Sequence, residues 1–206
     1  MYSKEYVRKT LIRGRDPVKA GFYYAHALGM IAFLLVSVLA APLVHELAHM
    51  AVLELHHCYY VIHLEYNSEY GIHGSIDLAC ALSRADEVAV YGAGVMSNLV
   101  IASALFILVS VLYRRGRLLD SISCMYLAFG FISDPLFYLF ASKGDIVYML
   151  EALGRRDWIW FIPVLGIVLF AFSILYLYLY MERFFADYAE MEKEIDDIEE
   201  FIAGRR

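Results

Sequence analysis

Twenty-five uncharged residues, Ala20 to Val44, run directly into His45-Glu46-Leu47-Ala48-His49. An apolar stretch of about 20 residues is long enough to cross a bilayer as a helix. This part of the chain is therefore read as a membrane helix that ends in an HExxH motif. An ionisable side chain at membrane depth costs ~2.5–3.5 kcal/mol on insertion scales and is by default functional. Two histidines and a glutamate at this spacing need a reason, and metal chemistry is the most economical one.

Three further stretches repeat the membrane signal. Val88 to Tyr113 holds 26 uncharged residues, Ser121 to Ser142 is interrupted only by Asp134, and Trp158 to Met181 holds 24. With 61% hydrophobic residues and a mean hydropathy of +0.58, the chain exceeds the ~45–50% apolar content of soluble domains. The expected fold is an all-α polytopic membrane protein of about four transmembrane helices, integral and multi-pass, in the cell membrane. The first stretch is too long for a cleavable leader and lacks a small-residue cleavage site.

Charge sets an orientation. Residues 1–19 carry six Lys/Arg against two acids, and residues 182–206 carry nine acids against four bases. Adding Arg114, Arg115 and Arg117 gives thirteen Lys/Arg on one side, against Arg84, Lys143, Arg155 and Arg156 on the other. The positive-inside rule then places both termini in the cytoplasm. The basic arm, residues 1–21, also suits anionic lipid headgroups. Nothing suggests nucleic-acid binding. Cys58, Cys80 and Cys124 are odd in number and form no CxxC pair, so neither a disulfide framework nor a thiolate zinc site is expected.

The boundaries follow from these signals. Residues 22–150 form a membrane core with helices at about 22–56, 88–113 and 121–142, residues 151–182 a fourth transmembrane helix, and residues 183–206 an acidic amphipathic tail helix. Between the first two helices, Tyr60 to Tyr66 and Ile72 to Leu78 alternate with a period of two around an Asn67-Ser68-Glu69 turn. That pattern predicts a small β-hairpin at about 59–79. In the tail, Phe184, Tyr188, Met191, Ile195, Ile198 and Ile202 recur in steps of four and three. This is a solvated amphipathic face or a short seam for self-association or a partner helix at 184–202.

On a helix His45 and His49 share one face and can grip one ion. Glu46 is the natural general base for a water activated there. Neutral imidazoles suit zinc, and a catalytic zinc site takes three protein ligands. His56 and His57 follow, but the third histidine of the extended HExxHxxGxxH motif would fall at Leu55. Carboxylates are better candidates. Counted from the last charge before each helix, His45 is 26 residues in, Asp145 is 25 and Asp134 is 14. At ~1.5 Å per residue Asp145 is level with the motif and Asp134 about 16 Å off, so Asp145 is the expected third ligand and Asp134 its rival. Pro135 is expected to interrupt the helix that carries Asp134.

Three segments in order carry a resemblance: Val44-His45-Glu46-Leu47-Ala48-His49, then Tyr91-Gly92-Ala93-Gly94-Val95-Met96-Ser97-Asn98, then Asp134-Pro135 through Gly144-Asp145-Ile146. Over about residues 22–150 the chain resembles the site-2 protease family of intramembrane zinc metalloproteases, especially its minimal members. The resemblance implies one zinc per chain, a transmembrane protein substrate partly unwound at the site, and an aspartate completing the metal site. Gly92, Gly94 and Asn98 would lie on a small-residue helix packed beside the motif, with Asn98 bonding across helices or touching substrate. The family's Asn-x-x-Pro becomes Ile132-Ser133-Asp134-Pro135 and its Asp-Gly becomes Asp145-Ile146. Family members hold zinc nearer the cytosol, whereas the charge count sends His45 towards the outer face.

Two other function classes compete. A catalytically silent scaffold or adaptor would keep the fold with a degenerate third motif. A membrane di-iron oxygenase needs about eight clustered histidines, and the whole chain has seven.

Overall fold

The computed structural model describes residues 16–67 and 71–203. The basic arm as far as Arg15 and the expected turn at Ser68-Glu69 lie outside them. The fold is all-α apart from one hairpin. Among the described residues, four helical segments are long and apolar enough to cross a membrane: Tyr23–Leu55, Arg84–Arg114, Leu118–Ala141 and Arg156–Asp187.

The first segment is built in three pieces. Helix α1 (Asp16–Leu35) passes into a π-helical turn (Val36–Ala40) and then into α2 (Ala41–Leu55). Pro42 stands in the first turn of α2 and has no N–H to give a carbonyl one turn back, which accounts for the widened turn before it. Beyond the bulge Ala41, His45, His49 and Leu53 are all buried, at 0%, 1%, 5% and 0% exposure. The opposite side of this segment, including Leu34, Leu35, Leu39, Leu43 and Leu47, is exposed as a lipid-facing surface should be.

Strands β1 (Tyr60–Asn67) and β2 (Gly71–Leu78) pair antiparallel from Tyr60↔Leu78 to Asn67↔Gly71, matching the period-two pattern. Helix α3 (Arg84–Arg114) starts from Ser83, whose Oγ accepts from the Asp86 amide, with Asp86 and Glu87 in the first turn complementing the helix dipole. Helix α4 (Leu118–Ala141) runs without interruption through Pro135, whose ring is fully buried. The expected break is absent because packing holds the proline in place.

One element was not anticipated. After α4 the chain turns at Ser142 (φ +48°) and Gly144 (φ +68°) and makes a short helix α5, Asp145–Ala152. A left-handed φ favours glycine, and a Cβ on Gly144 would lie 2.9 Å from the Tyr138 ring. A 3₁₀ turn (Arg156–Phe161) leads into α6, Ile162–Ala203. Its 42 residues span ~63 Å at 1.5 Å each, far more than the ~30 Å hydrocarbon core. Transmembrane helix and tail are thus one rod with no break at residue 183.

Buried clusters run along the bundle, with Ala102, Ile132 and Leu136 between those of its two ends. Val109, Leu118, Ile122, Met125, Tyr180 and Phe184 form one cluster where α3, α4 and α6 meet. Phe184, the first residue of the expected tail seam, is therefore core at 1% exposure. The side chains of Tyr188, Met191, Ile195 and Ile202 lie outside the described ones. At the hairpin end Val95, Leu139, Ile146, Leu150 and Ile162 pack together, beside Leu53, Cys58 and Val90.

Candidate metal centre

His45 and His49 leave α2 on its buried face, and each imidazole is held from behind. His49 Nδ1 lies 2.6 Å from the Val90 carbonyl of α3, which can only accept, so this nitrogen donates. His45 Nδ1 lies 2.9 Å from Asp134 Oδ2 on α4 and donates to the carboxylate. In the neutral imidazole, the form that binds a metal, each Nε2 then keeps its lone pair outward. Both point at one carboxylate oxygen, Asp145 Oδ2 at the start of α5, at 2.6 Å from His45 and 3.1 Å from His49. The three ligand atoms lie within 4.8 Å of one another.

Two nitrogen lone pairs facing a carboxylate oxygen repel unless a proton or a cation sits between them. The donor set, two neutral imidazoles and a carboxylate with anchored outer nitrogens, fits zinc: second-shell partners of this kind fix the tautomer and orientation of metal-bound histidines.

Asp134 lies far closer than the expected 16 Å. The stretch from Asp120 to Asp145 is not one straight helix: α4 ends at Ala141 and the chain turns back. Asp145 therefore returns towards the level of Asp134, and the His45 ring is clasped between the two carboxylates. Asp134 bears on the far nitrogen of His45 and is not in the group of converging ligand atoms. Its Oδ2 also accepts from Asn98 Nδ2 at 2.8 Å, and the same amide donates to the Ala41 carbonyl at 3.0 Å. Asn98, fully buried, thus ties α3 to α2 and α4. Among the described residues its Oδ1 has no hydrogen-bond partner.

The two glycines differ. A Cβ on Gly94 would lie 2.4 Å from the His45 ring, so only a glycine lets that imidazole lie flat against α3. A Cβ on Gly92 would meet only Met149 Sδ at 3.4 Å, an ordinary contact.

Tyr138 was not singled out from the sequence. Its ring stacks on His45 with centroids 4.8 Å apart and planes 13° from parallel. It lies within electrostatic reach of Asp145, Asp134 and Glu46. The available signal was its place one helical turn after Asp134. Val90 contributes through its backbone, for which no residue pattern exists. Glu46 is half-buried on α2 beside His45.

Among the described side chains, His26, which bonds with Tyr126, and His56 lie outside this group. His56 caps α2 and lies 3.5 Å from Asp86, and His57 follows with φ +51°. His63 and His73 lie on the strands opposite Ser75 and Glu65.

One cysteine expectation is overturned. Cys58 and Cys80 form a disulfide, with Cα atoms 5.5 Å apart, and Cys124 is free. They are 22 residues apart and meet because the hairpin brings the two ends of the insert together. Comparison with protein-family models, curated proteins and solved structures gives no match.

Proposed function

We propose that the protein is an intramembrane zinc metalloprotease of the site-2 type, an integral multi-pass protein of the cell membrane that hydrolyses peptide bonds in transmembrane protein substrates. The observation that carries this reading is the anchoring of both Nδ1 atoms, which turns both Nε2 atoms onto Asp145 Oδ2. A buried structural histidine needs a partner for each ring nitrogen, but two histidines need not share one oxygen. Two histidines aimed at the same carboxylate, next to a glutamate, serve an ion better than a fold.

His45, His49 and Asp145 would hold one zinc per chain. When bound, zinc supplies Lewis-acid polarisation of the scissile carbonyl and makes a water molecule more acidic. Glu46 takes the proton of the attacking water and returns it to the leaving amine nitrogen, as a C–O bond forms and the C–N bond breaks. Asp134, held by Asn98, keeps the His45 proton on Nδ1. Tyr138 and Gly94 bracket the imidazole and prevent it from turning. A substrate helix hides its carbonyls in its own hydrogen bonds, so the cut segment must be extended, and the hairpin would offer it an edge to join as an added strand.

The test is Glu46→Gln in a preparation that cleaves a membrane substrate. General-base catalysis contributes about 10²–10⁴-fold, so cleavage should fall by that factor while zinc content stays the same. Unchanged cleavage would remove the mechanism. Zinc binding without cleavage of any transmembrane substrate would turn the reading towards a silent scaffold.

A further inference from the structure

The disulfide and the metal-binding group occupy the same end of the molecule. Cys58 lies three residues beyond Leu55, the last residue of α2, and Cys80 two beyond Leu78, the last of β2. His49 is six residues before Leu55, ~9 Å along the helix at 1.5 Å per residue. The two are also connected by packing. Cys58 is buried with Leu53 and Val90, and Val90 is the residue whose carbonyl holds His49.

We propose that this end faces the oxidising, non-cytoplasmic side of the membrane, so that substrates are cut in the outer part of their transmembrane segments. Structural disulfides form and persist on that side and are rare in the reducing cytosol. Forming the bond removes two protons and two electrons from the thiols, which a disulfide-exchanging oxidant of that compartment accepts. The charge distribution gives the same orientation independently. The hairpin end carries Arg84, Lys143, Arg155 and Arg156, whereas thirteen Lys/Arg lie with the termini and the α3–α4 loop, and the Lys/Arg-rich side stays in the cytoplasm. A covalent bond and a charge bias that share no residue agree. The site is then inverted relative to the cytosol-facing arrangement that the family resemblance implies.

Orientation stands without the protease reading; the position of the cut rests on it. The test uses the full chain in intact cells with Cys124→Ser. A membrane-impermeant maleimide should label nothing, and after an impermeant phosphine reductant it should label Cys58 and Cys80. Arg115→Cys, in a chain with the three native cysteines replaced by Ser, should label only after permeabilisation. A short epitope inserted after Asn67 should be detected on unpermeabilised cells. Epitope exposure only after permeabilisation, or thiols free before reduction, would overturn the proposal. Glu46→Gln should keep the whole labelling pattern. If that pattern holds and no substrate is cut by the unsubstituted chain, the orientation survives and the protease reading fails.

Discussion

The two ends of the helical bundle are built on different principles. Where α3, α4 and α6 meet, the buried contacts are apolar: Val109, Ile122 and Phe184 are almost fully buried, and polar atoms enter through hydroxyls, as in Ser121 with Tyr180 at 2.6 Å and Tyr113 with the exposed Asp187 carboxylate. At the hairpin end the buried side chains include His45, His49 and Asn98, with Asp134 and Asp145 against them. In a membrane the first arrangement is the inexpensive one, since packing and satisfied hydroxyls suffice to hold helices together. The second concentrates ionisable groups where each must offset its own desolvation. A bundle able to pack like the first end has no structural need of the second, and on that contrast we propose the hairpin end as the working part.

Substitutions at the two ends should therefore separate stability from metal binding. Phe184→Ala empties a fully buried site and should lower stability by about 3 kcal/mol in detergent unfolding followed by circular dichroism, with zinc stoichiometry unchanged. A loss of zinc there would mean that the two ends are not independent. Gly94→Ala should do the reverse. Its methyl group would collide with the His45 ring, and zinc affinity measured by competition with a chelator should fall about 100-fold, the upper end for disturbing support around a ligand, at unchanged helix content. Asp134→Asn is milder, because the amide oxygen can still accept from Nδ1 while the charge is gone. A weakening of about 10–100-fold is expected; complete loss of zinc would make Asp134 a ligand rather than a support.

The same contrast explains what could be read from the chain. The four apolar stretches and the hairpin are legible because each is a local pattern, uncharged length in one case and a period of two in the other. His45 and His49 are legible because their spacing alone puts them on one face. Asp145 matches the motif in depth only along a straight helix, and the same straight helix puts Asp134 too far away. The turn at Ser142–Gly144, where two left-handed residues reverse the chain, brings both carboxylates to the one imidazole. The disulfide was hidden for a similar reason: an odd cysteine count and a long spacing say nothing until strand pairing closes the insert. Contacts made by side chains one turn apart can be anticipated, while those made by chain reversal cannot.

The central claim is that the hairpin end is a metal centre ligated by His45, His49 and Asp145. Elemental analysis of the full chain purified from zinc-replete cells, beside Asp145→Asn, tests it directly. One zinc per chain in the first and almost none in the second, with equal helix content, is the predicted result. Equal zinc in both proteins, or none in either, would contradict it.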